Sequence, residues 1–230
     1  MIALTIAGFD PSGGAGILRD ISVFSSLNLS FRAVPTALTI QTREEVFGKE
    51  PIPTEYIRKA LGRLQGKIHG VKIGMLSSEE VVKLVVDFLT IRKPDYVVLD
   101  PVIRSSSGYP LISKEGLKEL KGSLIAYSTF ITPNLEEGRI LTSEEEPDEI
   151  SKKLHSLGAR YVVVTGVGGR DDYFYDGEKS SILKGSPIDF SFHGSGCFYS
   201  SYLLGRLLLG DSPLLAAKNA KKAVEDSEFF

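Results

Sequence analysis

Cysteine is almost absent from this chain of 230 residues, which contains only Cys197. A single cysteine excludes an intrachain disulfide and a zinc site built on several thiolates, and it is typical of a protein kept in a reducing compartment. We therefore expect a cytoplasmic protein.

Long apolar runs and an excess of charge of one sign are also lacking. The apolar runs fall short of the ~20 residues that a membrane-spanning helix needs, and no basic region of a signal peptide precedes the first one. With 27 basic and 29 acidic residues the formal net charge is −2. No global field therefore attracts nucleic acid or an anionic membrane, and an anionic ligand must be held by local geometry.

Two common phosphate-binding motifs are missing as well. The glycines of residues 13–16 do not have the G-x-G-x-x-G spacing, and the P-loop pattern G-x-x-x-x-G-K-[ST] does not occur. The turn at residues 8–16 is still rich in glycine, which indicates close approach of the backbone to something else. The sequence leaves open whether that is a ligand or a packed neighbour.

The chain does contain short apolar segments that alternate with helical patterns. Strands are predicted at residues 2–7, 31–40, 70–75, 96–99, 130–133 and 161–164. Helices are predicted at residues 15–26, 54–66, 77–91, 147–157 and 212–225, and after Asn134. Residues 173–175 and 180–183 flank Asp176-Gly177 and predict an antiparallel hairpin. This order predicts a single domain over residues 1–230, with a three-layer α/β fold and a mostly parallel central sheet.

The stretch at residues 192–209 reads as a loop entering a buried helix. Gly194, Ser195, Gly196 and Cys197 lie where the first N–H groups of a helix have no partner, so they form a candidate phosphate cradle. In that position a thiol pKa tends to fall from its usual ~8.5. The alternative is a simple turn followed by a small buried apolar cysteine, and the local sequence favours neither.

Polar residues also follow several predicted strands. Gln41, Asp100 and Thr165 each come at a strand end, and Asn134 and Glu137 open a helix. Locally, Asp100 is equally well explained as the start of a turn, and Asn134 with Glu137 is better explained as a capping box. Because the carboxyl ends of parallel strands meet at one edge of a sheet, we expect these side chains to gather around a ligand.

Six motifs in order resemble the hydroxymethylpyrimidine and phosphomethylpyrimidine kinases of thiamine biosynthesis, which belong to the ribokinase-like superfamily. They are residues 7–17 (AGFDPSGGAGI), 36–41 (TALTIQ), 72–76 (KIGML), 100–102 (DPV), 131–135 (ITPNL) and 193–197 (HGSGC). The resemblance extends from residue 1 to about residue 222.

The resemblance implies transfer of the γ-phosphoryl group of ATP, with Mg²⁺, to 4-amino-5-hydroxymethyl-2-methylpyrimidine and then to its monophosphate. It makes residues 194–197 an anion hole and Cys197 the base. It places the pyrimidine against Gly8, Ala15, Asp20, Gln41 and Met75. It assigns Asn134, Glu137, Thr165 and Gly166 to the nucleotide, and Asp100 and Glu137 to the metal. It also implies a homodimer.

The chain lacks two positively charged residues that the family pattern contains. Ser106 stands where relatives carry a lysine, and Thr165 begins a segment where they often carry Lys-Gly-Gly-His. Arg104 and Arg170 are candidate replacements. These departures keep two alternatives open: a pyridoxal or pyridoxine kinase of the same superfamily, and a non-catalytic pyrimidine-binding protein on this fold.

Overall fold

The computed structural model describes residues 1–185 and 193–226, so that Phe192, the first residue of the predicted loop before the last two helices, lies outside the described residues. The strands are β1 (Ile2–Phe9), β2 (Ser30–Gln41), β3 (Val46–Pro51), β4 (Gly70–Ile73), β5 (Tyr96–Leu99), β6 (Phe130–Ile131), β7 (Tyr161–Val167), β8 (Asp171–Tyr175) and β9 (Ser180–Leu183). The α-helices are α1 (Gly16–Ser26), α2 (Thr54–Gly62), α3 (Glu79–Arg92), α4 (Lys114–Glu119), α5 (Leu135–Thr142), α6 (Pro147–Ser156), α7 (Ser195–Leu208) and α8 (Pro213–Glu225).

The described strands form one sheet that is parallel in its centre and antiparallel at both edges. Their order is β3-β2-β1-β4-β5-β6-β7-β8-β9. The pairs from β2 through β7 are parallel, whereas β3 against β2, β8 against β7 and β9 against β8 are antiparallel. The predicted mostly parallel sheet and its late hairpin are confirmed. Strand β3 and helix α4 were not predicted.

Apolar side chains alternate along the central strands and fill one core on each face of the sheet. In β5, Val97 and Leu99 pack on the face that α2, α3, α5 and α6 cover. Val98 points the other way and packs in a cluster with Phe24 of α1 and Leu203 of α7. Because successive residues of a strand face opposite sides, the buried strands need helices on both faces, which produces the three predicted layers.

Pro35 occupies a part of β2 that has a strand on one side only. It pairs with Ala7 of β1, while β3 pairs only with residues 37–41 of β2. Proline has no N–H for a second ladder and is confined to sheet edges, which fits its position in this part of the strand.

Candidate active site

A cavity of about 230 Å³ lies at the carboxyl ends of the parallel strands. Its walls come from the ends of β1, β4, β5, β6 and β7 and from the first turn of α7. All the predicted site residues line it except Asp20 and Gly166. A second cavity of about 430 Å³ adjoins it and shares Asn134, Glu137 and residues 194–196 as a common wall. The strand order thus gathers motifs that are far apart in the sequence.

The first turn of α7 presents backbone N–H groups to the cavity. Gly194 is the N-cap residue with φ of +81°, and no side chain caps the helix. The first turn contains no acidic residue. Ser195, Gly196 and Cys197 all line the cavity. The first amides of a helix have no partner within it, and together with the positive end of the helix dipole they make this turn suited to an anion.

The two glycine-rich turns pack against each other through their backbones. A Cβ added to Gly194 would collide with the carbonyl oxygen of Gly14, and a Cβ on Gly14 would collide with the ring of His193. Arg19, which is buried, donates from Nε to the same Gly14 oxygen at 2.9 Å. The absence of side chains at these glycines therefore sets the position of the first turn of α7 relative to the turn after β1.

Asp10 joins these turns through hydrogen bonds. Its Oδ2 accepts from Ser12 Oγ at 2.9 Å and Ala15 N at 2.8 Å, and lies 3.2 Å from His193 Nε2. Burial opposes ionisation, but hydrogen bonds from His193, Gln41 and Ser12 lower the pKa of Asp10 below its usual value. Asp10 is a site residue that the sequence reasoning missed; its signal was an acid inside the glycine-rich turn.

Gly8, Gln41 and Met75 line the same cavity as the first turn of α7. A Cβ on Gly8 would lie 2.9 Å from the sulfur of Met75, so Met75 packs closely over the backbone of Gly8. Thr36 Oγ1 donates to the Met75 carbonyl at 2.6 Å and fixes its backbone. The wall combines a polarisable apolar side chain with an amide, which can recognise a flat ring with polar edges.

Asp20 was predicted to contact the pyrimidine, but the structure does not bring it to the cavity. The residue has no exposed surface. Its carboxylate accepts from Thr5 Oγ1 at 2.5 Å and from Ser201 Oγ at 2.6 Å, and it lies 3.1 Å from Lys72 Nζ. A carboxylate with these three partners beneath the cavity has no direct hydrogen bond to offer a pyrimidine.

Lys72, which the sequence reasoning assigned no role, is the fully buried partner of two acids. Its Nζ lies 3.6 Å from Asp100 Oδ2 in addition to the Asp20 contact. Burial opposes the charge, but Asp20, then Cys197 and Asp100, raise the pKa of Lys72 above its usual value. The ammonium is therefore charged. The signal in the sequence was a lysine inside an otherwise apolar strand.

Asp100 and Cys197 lie between this buried group and the cavity. Ser200 Oγ donates to Asp100 Oδ2 at 3.2 Å. Burial raises the pKa of the Cys197 thiol to about 12; Lys72 lowers it, while Asp100 and Asp20 raise it further. The expected lowering of the thiol pKa at the helix N-terminus is wrong here, because desolvation and two nearby carboxylates outweigh the helix dipole.

Asn134 and Glu137 form a capping box at the start of α5 and line the cavity at the same time. The Asn134 side chain accepts from Glu137 N at 2.9 Å, and Glu137 Oε2 accepts from Asn134 N at 3.0 Å. Burial, with the charge of Asp100, raises the pKa of Glu137 to about 8, although the amides of Asn134 and Ile103 lower it. The local prediction of a capping box is confirmed, and it fixes both side chains at the cavity wall.

Thr165 lines the cavity, whereas Gly166 does not. Gly166 N donates to Asp172 Oδ1 at 3.1 Å, and Asp172 lies 3.3 Å from Lys221 of α8. Of the two arginines considered as replacements for the family lysines, Arg104 lines both cavities and Arg170 lines neither.

Groups of three or more acidic, histidine or cysteine side chains that could hold a metal do not occur among residues 1–185 and 193–226. Three acidic side chains line the cavity, Asp10, Asp100 and Glu137. Asp10 is held by Ser12, Ala15 and His193, so Asp100 and Glu137 are the two that match the one or two carboxylates Mg²⁺ uses when it keeps its waters and binds phosphate oxygens. The donor set therefore suits a metal that arrives with a nucleotide.

A three-layer α/β sheet with a glycine-rich anion hole at the N-terminus of a late helix defines the ribokinase-like class of kinases. The sequence model described as "Phosphomethylpyrimidine kinase" matches residues 10–227. The chain is 38% identical to the hydroxymethylpyrimidine/phosphomethylpyrimidine kinase of Aquifex aeolicus, over 99% of this chain and 94% of that protein. This chain belongs to the phosphomethylpyrimidine kinase family.

Solved structures agree with this assignment. Phosphomethylpyrimidine kinase from Clostridium difficile 630 is 30% identical with a TM-score of 0.85, covering 99% of both chains. An ADP complex of Bacillus subtilis pyridoxal kinase is 32% identical with a TM-score of 0.84, covering 96% of this chain and 88% of that one. The family and its relatives are kinases, and the second of these structures shows that a relative with this fold holds ADP.

Proposed function

We propose that this chain transfers the γ-phosphoryl group of ATP to the hydroxymethyl group of 4-amino-5-hydroxymethyl-2-methylpyrimidine, and then to the resulting monophosphate. The observation that carries the proposal is one cavity that joins the wall of Gly8, Gln41 and Met75 to the open first turn of α7. A pyrimidine on that wall faces amides suited to the transferred phosphoryl group.

The anion hole supplies most of the catalysis in this proposal. In phosphoryl transfer the transition state is loose and its charge is spread over the phosphoryl oxygens, so positioning and charge stabilisation dominate. Fixed amides at residues 194–197 act without reorganising, and one such donor is typically worth about 10²- to 10³-fold in kcat. The shared wall of the two cavities, which contains residues 194–196, is where the phosphates would meet.

Cys197 contributes position and a weak hydrogen bond in this scheme. With a pKa of about 12, the thiol is protonated at neutral pH and is not a ready-made general base. A loose transition state places little demand on a base, because the acceptor hydroxyl loses its proton late. That proton then passes to an oxygen of the transferred phosphoryl group, while Cys197 keeps the acceptor in line.

Nucleotide and metal fit the remaining wall. Asn134 and Thr165 offer polar groups to the nucleotide, and Asp100 and Glu137 offer carboxylates to Mg²⁺ or to its waters. A bound Mg²⁺ would neutralise the charge that develops on the phosphates. Because both Glu137 oxygens already accept backbone N–H groups, we assign Glu137 to the waters of the ion and Asp100 to the position nearer the phosphates.

Pyridoxal is the second candidate acceptor, because the Bacillus subtilis pyridoxal kinase is as similar to this chain as the Clostridium difficile phosphomethylpyrimidine kinase is. Gln41 favours the pyrimidine, since an amide can pair with an aminopyrimidine edge. The test is ADP release by the purified protein with ATP, Mg²⁺ and, in separate reactions, the pyrimidine, its monophosphate or pyridoxal. We expect ADP release with the pyrimidine and with its monophosphate. ADP release with pyridoxal alone would overturn the substrate assignment, and pyrimidine binding without ADP release would favour a non-catalytic protein.

We further propose a homodimer in the cytoplasm. Leu38, Ile40 and Phe47, on β2 and β3 at one edge of the sheet, are 46%, 60% and 61% exposed, and they are the surface that we assign to a second copy. No helix in the described part of the chain has the length and apolarity to cross a membrane. Light scattering at micromolar concentration tests the dimer, and a mass of one chain would contradict it.

A further inference from the structure

Lys72 is a buried charge that the reaction outlined above does not use directly. The side chain has no exposed surface and does not line either cavity. Taking an ammonium and two carboxylates out of water is costly, and apolar residues of similar volume are often at least as stable. The cluster is therefore poorly explained as a source of stability alone.

The two acids beside Lys72 are held in different ways. Asp20 has two short hydrogen bonds, from Thr5 and Ser201, in addition to the lysine. Asp100 lies at the cavity wall. Its side-chain donors among the described residues are Ser200 Oγ, at 3.2 Å, and the Cys197 thiol. Asp20 is thus held independently of the lysine and anchors it, whereas Asp100, at the cavity wall, pairs with Lys72 at 3.6 Å.

Asp100 in turn is linked to the first turn of α7, since Ser200 Oγ lies 3.2 Å from Asp100 Oδ2 and 2.9 Å from the Gly196 carbonyl oxygen. A Cβ at Gly196 would lie 4.0 Å from Asp100 Oδ1, and the Cys197 thiol hydrogen-bonds the same carboxylate. A shift of Asp100 therefore changes both the first turn of α7 and the place where a metal with its phosphates would lie.

The backbone near Lys72 is shaped to accept the ammonium. A Cβ at Gly74 would lie 3.0 Å from Lys72 Nζ and 3.0 Å from the Cβ of Ala7, a residue that lines the cavity. The Lys-x-Gly spacing of residues 72–74 thus has a physical reason: the head of the lysine folds back into the space that a side chain at residue 74 would fill.

We propose that Lys72 is a positioning residue for phosphoryl transfer, which holds Asp100 in place beneath the anion hole while Asp20 holds Lys72. The chain of contacts runs from Thr5 and Ser201 through Asp20 and Lys72 to Asp100. This inference rests on the proposed function only in taking phosphoryl transfer as its readout.

The test compares Lys72→Met with the double variant Lys72→Met/Asp20→Asn. The single variant leaves two buried acids without their cation, so we expect its Tm to fall by about 10 °C. The double variant removes the anchor's charge together with the ammonium, and Thr5 and Ser201 can hydrogen-bond an amide as well as a carboxylate. We expect it to regain most of the lost Tm.

Turnover then separates positioning from simple charge balance. We expect kcat of the double variant to stay about 100-fold low, as a misplaced group costs, with the calorimetric Kd for the pyrimidine within about threefold of wild type. Recovery of kcat together with Tm would overturn the proposal. Lys83→Met is the matched control, because Lys83 pairs with Glu79 on the exposed side of α3, and we expect no change in either quantity.

Gly74→Ala keeps every charge and gives a second measurement if the double variant does not fold. The added methyl displaces the lysine head, and a several-fold loss of kcat at unchanged pyrimidine Kd supports the role of Lys72, whereas unchanged kcat refutes it. Failure of the proposed function shows separately, as wild-type turnover of pyridoxal in place of the pyrimidine; the same variants then test Lys72 with pyridoxal as acceptor.

Discussion

Gly194→Ala is the substitution that tests the anion hole most sharply. Gly194 has φ of +81°, which an L side chain adopts at a cost of about 1–2 kcal/mol. Its new Cβ would also overlap the Gly14 carbonyl oxygen and lie 3.1 Å from Ala15 Cα. To reach van der Waals separation, the turn after β1 and the start of α7 must move apart by about 1 Å or more.

That displacement sets the expected size of the effect. A shift of about 1 Å in positioning groups costs about 100-fold in rate, which agrees with the loss on removing one anion-hole donor. We therefore expect kcat of Gly194→Ala to fall at least about 100-fold. The free energy of unfolding should fall by more than the conformational cost alone.

Gly210→Ala is the matched control at the opposite end of α7. Gly210 has φ of +99°, and no atom lies within 4 Å of its added Cβ. We expect it to lose about 1–2 kcal/mol of stability in urea unfolding and to keep its kcat in the ADP-release assay. If Gly194→Ala retains kcat within about threefold of Gly210→Ala, the argument that residues 194–197 stabilise the transferred group is wrong.

Three further predictions use other parts of the molecule. Cys197→Ser should keep the fold and lower kcat by no more than about tenfold. Because the thiol pKa is about 12, the pH profile of kcat/KM between pH 6 and 9 should be the same in the wild type and the variant. A limb of the profile that disappears in the variant would contradict this. Burial raises the pKa of Asp172 from its usual 3.8 to about 6 in the folded protein, so its contribution to stability is greatest below pH 3.8 and is lost as the pH rises through 6. The free energy of unfolding of wild type relative to Asp172→Asn should therefore fall by up to about 3 kcal/mol between pH 4 and 7, and a constant difference in urea unfolding would refute the assignment. Leu203 lies in the core on one face of the sheet, and Leu203→Ala should lower the free energy of unfolding by about 2–5 kcal/mol in the same assay. The KM for ATP of the folded fraction should not change. A loss of free energy below about 1 kcal/mol would contradict the burial of Leu203.

The central strands could be predicted from the sequence because they are buried on both faces and carry nearly continuous apolar runs. Strand β3 could not, since its segment contains Gly48, Lys49 and Pro51 and lies at the sheet edge, where apolar alternation is not required. What makes it a strand is its ladder with β2, which is a tertiary contact.

The site residues also divide into those that could be predicted from the sequence and those that could not. The residues that touch the cavity follow strand ends, and the topology of a parallel sheet brings such positions together. Asp20 and Lys72 are 52 residues apart, and only their contact in space shows that Asp20 serves a buried lysine and not a ligand. The thiol pKa of Cys197 was mispredicted for a related reason: the helix terminus is visible in the sequence, but the two carboxylates beside it are not.

A competition experiment measures the central claim most directly. Equal concentrations of the hydroxymethylpyrimidine and pyridoxal are incubated with the protein, ATP and Mg²⁺, and ³¹P NMR follows the phosphorylated products; their initial ratio is the ratio of kcat/KM for the two acceptors. The account predicts pyrimidine monophosphate first, then its diphosphate, with pyridoxal phosphate at least about tenfold less. Pyridoxal phosphate as the main product, or release of inorganic phosphate without either ester, would contradict it.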